Sequence, residues 1–498
     1  MRRILVILFL LPFLGFGQKL SKENKTKLKE GNVFLKYKYY NHAYNIFNTL
    51  IKVDSTNSEI KYGYGVSQIM FAKKADLGIH YLESLNEEDY PGKLFYLGKA
   101  YHLKEDFFTA ISFYESYAEV KTTDEDVFLE IRKSRRATRI IDESVDFEIE
   151  NLVNLNSGDS DYTPVISEDG STLFFTSKRE NGVENIYTSE KEAGNWASVE
   201  KLGKPINSET NDAIVNLSSS ANTIILYRTH DNQSGGNLLK STFKDGMWSN
   251  PEPLINPINT DFQEASACIT SNGNTIYFSS NRPGGFGGKD LYRITKLPDS
   301  KWSLPMNLGP KINSEYDEDA PFLSENQDKI YFSSNNAESI GGYDIFYVEI
   351  DLEMNLSNPV NMGAPINSVF DDIFFSVGEN GTVGYFSSDR TAGLGGLDLY
   401  KVRMPYDDFF IIGKSKVFSS DSTQIETKIT LIDENLNKVV GKYVSNIFNG
   451  KFIMLLYPDK NYHVIIEADG YYSKTVHFNT YGIEDGELEL NYELIKKQ

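Results

Sequence analysis

One block recurs about every 53 residues between positions 145 and 404, and it decides what most of this chain can become. Each copy opens with an acid and a short strand pattern, passes a turn and enters an aromatic strand. The aromatic strands read LFFTSKR from Leu173, IYFSSNR from Ile276, IYFSSNN from Ile330 and GYFSSDR from Gly384, with a divergent IILYRTH from Ile224. A Gly-Gly turn and another strand follow at Gly287-Gly288-Lys289-Asp290-Leu291-Tyr292, at Gly341-Gly342-Tyr343-Asp344-Ile345-Phe346 and at Gly395-Gly396-Leu397-Asp398-Leu399-Tyr400. The earlier copies keep Asn185-Ile186-Tyr187 and Asn237-Leu238. The block closes on a strand ending in Ile-Asn, at Ile206-Asn207, Ile258-Asn259, Ile312-Asn313 and Ile366-Asn367. Short strands separated by Gly, Asn, Asp and Ser at this period give four strands per unit, the pattern of a β-propeller blade. Copies near 161, 212, 264, 318 and 372 predict five blades.

The fifth copy lacks an outer strand, because the chain leaves the pattern at Met404. The missing piece stands upstream. Phe147–Leu152, followed by Leu155-Asn156-Ser157, matches Leu308 to Ser314, which ends in Ile312-Asn313-Ser314. This early strand is expected to complete the last blade and so remove open sheet edges.

Two other regimes flank the repeat, so the fold class is multidomain, α then all-β. Residues 18–142 carry apolar residues at helical spacing and a single proline, Pro91. Gly31, Gly65 and Gly98 recur there 34 and 33 residues apart. Ala43, Gly78 and Ala110 form a second series, followed by Phe47, Leu82 and Tyr114, then by Leu50, Leu85 and Tyr117. Small residues let helices approach and large ones fill the groove between them. The period resembles the tetratricopeptide repeat, best in Tyr96, Gly98, Ala100, Tyr101, Ala110 and Tyr114, and implies a concave, protein-binding array. Residues 409–498 alternate apolar and polar positions over short strands, as in a small β-sandwich. At the other end, Arg2 and Arg3 precede an apolar run from Ile4 to Phe16, a secretory signal over residues 1–17 with cleavage expected before Gln18. No second such run occurs, so no transmembrane segment is expected in the mature chain, which is soluble or at most peripheral to an outer membrane.

Charge narrows the partners. The formal net charge is −20, and no long basic run exists to displace counterions from phosphates, which argues against nucleic acid. A basic protein face, a cationic peptide or a divalent ion suits this surface better, unless the acidity serves solubility alone. The one cysteine, Cys268, excludes an intrachain disulfide and, being far from the signal, a lipoprotein anchor there. It sits in an apolar strand pattern and reads as a small buried hydrophobe.

The strongest polar constellation is the repeated acid. Asp161, Glu264, Glu318 and Asp372 each stand 13 residues before an aromatic, and Asp212 stands 13 before Ile225. Five equivalent acids form either a rim that binds a cation or basic segment, or a bond that every blade needs. Arg179, Arg282 and Arg390 recur as well, with His230 and Asn336 in the same place in the other copies, and could pair with the acids. Asp290, Asp344 and Asp398, each after Gly-Gly, are expected to order a turn through their own backbone, since calcium needs several close oxygens. Gly284 opens GGFGGKD, which lacks the continuation of a phosphate loop. The histidines His42, His80, His102, His230, His463 and His477 show no zinc-protease spacing, and there is no GxSxG elbow. Trp196, Trp248 and Trp302 recur just before the Ile-Asn strands and read either as glycan platforms or as packing between blades.

The propeller strings, above all IYFSSNRPGGFGGKDLY from Ile276, resemble the TolB-type, WD-like repeats of bacterial envelope proteins. The C-terminal strings, including Asn449-Gly450-Lys451-Phe452 and Ala468-Asp469-Gly470-Tyr471-Tyr472, resemble the carboxypeptidase regulatory-like module, a transthyretin-like sandwich. Helical repeats, five blades and this sandwich in that order resemble OmpA-family envelope proteins of Bacteroidetes, some associated with type IX secretion and gliding. Those proteins usually continue into an OmpA-like peptidoglycan-binding domain; the sequence here stops at Gln498, so cell-wall anchoring is not carried over. The resemblance implies a non-enzymatic interaction scaffold in the periplasm at the outer membrane, its partner an envelope or secretion-machinery protein. No cofactor, metal or catalytic residue is expected. Partner contacts are expected at Tyr101 and Tyr114 in the helical groove and at Asp161, Asp212, Glu264, Glu318 and Asp372. The competing readings are a glycan- or peptidoglycan-binding module and a hydrolase with an unrecognised triad.

Overall fold

The computed structural model describes residues 20–497 apart from 122–124, 143–147, 168, 219–220, 231–234, 325, 352–353, 379–380, 405–410, 421–424, 435–437, 457–459 and 482–486. The signal segment 1–17, Phe147 and the expected boundary at Phe409 lie outside the described residues. The chain divides into two compact units, Met1–Arg403 and Met404–Gln498.

Among the described residues the first unit begins with seven helices: α1 (Lys22–Lys36), α2 (Tyr40–Val53), α3 (Ser58–Met70), α4 (Ala75–Glu83), α5 (Lys93–Leu103), α6 (Phe107–Val120) and α7 (Glu125–Asp142). Side-chain caps fix three of the starts. Ser21, Asn57 and Asp106 accept the backbone N–H groups of Asn24, Ile60 and Thr109 at 3.1 Å each. The glycine series read from the sequence marks the helix crossings. A Cβ on Gly31 would meet Phe47 at 2.9 Å, one on Gly65 would meet Leu82 at 2.9 Å and one on Gly98 would meet Tyr114 at 2.5 Å. Each small residue therefore faces the large residue of the next helix, and no side chain fits in between.

After the helices the described residues form five antiparallel sheets of four or five strands. Their first strands are Asp161–Ile166, Asp212–Leu217, Ala267–Ile269, Glu318–Leu323 and Asp372–Gly378. Each lies beside the first strand of the next sheet, and the fifth lies beside the first, so the sheets form a closed ring. Alternate residues of one strand serve two different cores. Phe174 packs toward the second sheet with Ile214 and Leu226, while Leu173 and Phe175 pack toward the fifth with Val383 and Tyr385. Both faces are buried, which is why the aromatic strands read as unbroken apolar runs rather than alternating ones.

Ring closure follows the expected route. Ile149–Asn151 pairs antiparallel with Asp398–Arg403, with Ile149 opposite Val402. The repeated asparagine explains how consecutive sheets are joined. Asn207, Asn259, Asn313 and Asn367 each accept from and donate to the backbone of one third-strand residue, Ile186, Leu238, Leu291 and Ile345, at 2.7–3.0 Å. Asn156, in the upstream segment, clamps Leu399 in the same way at 2.8 and 3.0 Å. A primary amide offers an acceptor and donors in one plane, so it satisfies a backbone residue as a strand would.

The helical array is seated on this ring. Phe107, Ala137 and the half-buried Leu103 and Ile140 pack against Ile340, Val369 and Phe370. Inside this apolar contact His102 bridges Ser134 Oγ at 2.8 Å and the Ile340 carbonyl at 2.7 Å. The carbonyl can only accept, so Nε2 carries the proton and Nδ1 accepts from Ser134. Burial presses the imidazole pKa down to about 4. Lys133 donates to the carbonyls of Asn335 and Gly341 at 3.2 and 3.1 Å.

The second unit holds a three-stranded sheet (Lys451–Leu456, Ile411–Ser419, Glu487–Leu494) and a four-stranded one (Lys438–Val444, Lys428–Asp433, Asn461–Glu467, Lys474–Asn479). The pairing of Ile411–Ser419 with Glu487–Leu494 is parallel. Val417, Phe452, Met454 and Tyr492 of one sheet share a core with Ile429, Leu431, Tyr462 and Val464 of the other.

Candidate functional site

The first strands of four sheets, with Ala265 and Ser266 just before the first strand of the third, line a cavity of about 210 Å3 at the ring centre. Local backbone irregularities shape it. Thr163, Ala320 and Phe374 take φ values of 52°, 54° and 61°, and strand register shifts around each of them. A bulge in this position turns the strand and re-aims its side chains toward the axis. Two ion pairs stand in the cavity wall. Lys289 meets Asp319 at 2.6 Å, and Ser266 donates to the same carboxylate. Burial alone would raise the Asp319 pKa, but Lys289, Ser266 and the Ala320 N–H hold it below the ordinary range. Glu184 pairs with Lys178 at 3.1 Å.

Tyr162, Lys289, Asp319 and Phe374 also line a wider cleft of about 910 Å3, so the cavity opens into it. The helical array supplies the other wall. The turn between α3 and α4 presents Phe71, Ala72 and Lys73, with Lys73 at φ 53°. Lys73 lies 3.4 Å from Asp389 and 4.0 Å from Asp371. Burial, the Asp371 charge beside it and the opposing Lys73 leave the Asp389 carboxyl at about 6. Tyr343 donates to Asp317 at 3.1 Å. Charges of both signs beside aromatic rings, in a cleft of this size, suit a short polypeptide segment better than a uniformly charged ligand.

The sequence candidates fall elsewhere. Asp161, Asp212, Glu318 and Asp372 are 0 % exposed and Glu264 is 1 %, so the acidic rim is corrected to an internal lock. Each acid accepts from the Ser or Thr four residues before it, Ser157, Ser208, Thr260, Ser314 and Ser368. Arg179, Arg282 and Arg390 pair with Asp161, Glu264 and Asp372 at 2.7, 3.2 and 2.5 Å. In the second sheet the partner is Arg228, at 2.5 Å from Asp212, and not the residue at His230. Glu318 takes Ser314 and Ser334 instead, and burial raises its pKa. A buried carboxylate needs such partners.

Tyr114 is corrected too. It is 0 % exposed against Gly98 and carries no groove contact. Tyr101 is half-buried, stacked on Phe113 at 5.4 Å. Asp290, Asp344 and Asp398 accept the backbone N–H groups of Phe286 and Gly287, Ile340 and Gly341, and Leu394 and Gly395, so they order their turns. Trp196, Trp248 and Trp302 are half-buried in the cores between adjacent sheets. Cys268 is buried, its thiol pushed up to about 12 by desolvation.

Lys73, Lys289, Asp319 and Tyr343 went unread in the sequence. The available signal was departure from the repeat. Position 289 is Lys where the next two copies have Tyr343 and Leu397, and Asp319 follows the repeated acid where the other copies have Tyr162, Ala213, Ala265 and Ile373.

No family model matches the chain, and no curated protein matches it. Among solved structures, an α-L-arabinofuranosidase from Lactobacillus brevis is similar over 50% of this chain and 91% of its own, at 13% identity and a TM-score of 0.35. The Sgt2 tetratricopeptide domain from Aspergillus fumigatus is similar over 25% of this chain and 84% of its own, at 15% identity and a TM-score of 0.21. A post-proline cleaving enzyme from Rickettsia typhi is similar over 52% of this chain and 35% of its own, at 11% identity and a TM-score of 0.25. Likeness at this level says nothing about activity. Among the described residues no helix is long and apolar enough to cross a membrane.

Proposed function

We propose that this protein is a non-enzymatic interaction scaffold: a tetratricopeptide-like array on a five-bladed β-propeller, with a transthyretin-like sandwich as its second unit. Its place is the periplasmic side of an outer membrane, and its partner is an envelope or secretion-machinery protein, in line with the type IX secretion and gliding proteins it resembles. One observation carries the reading: the α3–α4 turn of the array and the mouth of the ring together enclose one cleft of mixed charge. A polypeptide segment held there touches both parts at once.

The test is recovery of partners from cross-linked native envelopes, wild type against Lys73→Ala and Asp389→Asn. The reading expects an envelope polypeptide whose recovery falls at least about fivefold in both variants. Recovery of glycan alone, or of the same polypeptide undiminished, overturns it.

A further inference from the structure

The outer face of the four-stranded sheet in the second unit carries a group that the scaffold reading does not use. His463 and His477 stand directly opposite each other on the neighbouring strands Asn461–Glu467 and Lys474–Asn479. Their rings lie 5.2 Å apart at 38°. Glu434 follows the strand Lys428–Asp433, its N–H bonded to the Asn461 carbonyl at 2.9 Å, and its carboxylate reaches both rings. Glu434 Oε1 is 3.2 Å from His463 Nδ1 and also contacts His477 Nδ1. Tyr462, Val464 and Ile466 point the other way into the core, so alternation places both histidines on the solvent side.

We infer that Glu434, His463 and His477 bind a zinc ion. Two imidazole nitrogens and one carboxylate oxygen make up the His2Glu set that zinc takes as three protein ligands, leaving a fourth position for water. The ligand atoms lie within 4.8 Å of one another. Bonds of about 2.1 Å at tetrahedral angles need ligands about 3.4 Å apart, so the 3.2 Å spacing of His463 Nδ1 and Glu434 Oε1 already fits, and His477 has to draw back from the carboxylate by roughly an ångström. The His477 side chain, 69% exposed, is free to make that movement. A hydrogen-bonded surface cluster needs only one imidazole on the carboxylate; here two rings bring the same nitrogen to the same oxygen. Imidazole ligands select zinc over calcium and magnesium, which take oxygen.

The experiment is calorimetric titration of the chelator-stripped full chain with zinc, with calcium as the control. The inference expects one zinc per chain, no calcium heat, and affinity lowered at least about tenfold in each of His463→Ala, His477→Ala and Glu434→Gln. Unchanged circular dichroism shows that the variants fold, and His463→Gln and His477→Gln replace any alanine variant that does not. Absence of a one-to-one zinc site, or a loss of less than tenfold in any folded variant, overturns it.

Discussion

At the scale of single residues, the junction between helices and ring depends on a neutral histidine. His102 is enclosed between Ser134 and the Ile340 carbonyl, with its pKa near 4 against 6.5 in an unfolded chain. The folded state therefore binds fewer protons than the unfolded one between these values. The stability this contributes is present above pH 6.5 and is lost as pH falls toward 4, on the order of 3 kcal/mol. Denaturant titrations at pH 7 and pH 4.5 should show a larger acid loss for wild type than for His102→Gln; equal losses would contradict it. The buried locks follow similar logic. Arg390→Met strands the Asp372 carboxylate, and we expect a cost of about 3–5 kcal/mol by equilibrium unfolding. The positions of these acids and of three arginines were legible in the sequence, because repetition marks them. Their burial was not, since charge pattern alone does not say which side of a strand faces solvent. Arg228 was not picked out, because the divergent second copy carries its arginine two residues before the repeat position held by His230.

Among the elements, small residues set how closely neighbours approach. Gly98 leaves no room for a methyl group beside Tyr114. Gly98→Ala should lower stability by about 1–3 kcal/mol through overpacking of α5 on α6, whereas the same change at the open position Gly203 should not; equal effects would contradict the assignment. The asparagine clamps join strand to strand. Asn313→Ala leaves the N–H of Leu291 without its partner and its C=O with the Leu308 N–H alone, and we expect about 1–3 kcal/mol of destabilisation in a thermal or chemical melt. The helical series and the aromatic strands were readable because their periods come from packing. The cross-strand pair of His463 and His477 was not, because their meeting depends on hairpin register, which spacing alone leaves open.

For the whole molecule, closure and docking decide function. The ring is sealed by an early strand and by Asn156, which clamps Leu399 of the last sheet. Asn156→Ala should raise amide exchange in Asp398–Arg403 more than in Asp290–Thr295, read by hydrogen-exchange mass spectrometry; a uniform change would contradict a local seal. Closure was legible from the matching of Leu155-Asn156-Ser157 to Ile312-Asn313-Ser314. The seat of the helices on the ring was not, because Phe107, Ile340 and Phe370 belong to different repeat systems and no shared period links them. The cleft that this seat creates is the centre of the functional proposal. Its most direct test is a photo-cross-linking residue placed at Phe71, on the α3–α4 turn, compared with one at Leu304, which is 82% exposed and outside the cleft lining. An interaction scaffold should give a discrete cross-link to an envelope polypeptide from position 71 and none from position 304. No polypeptide at position 71, or the same product from both positions, would contradict it.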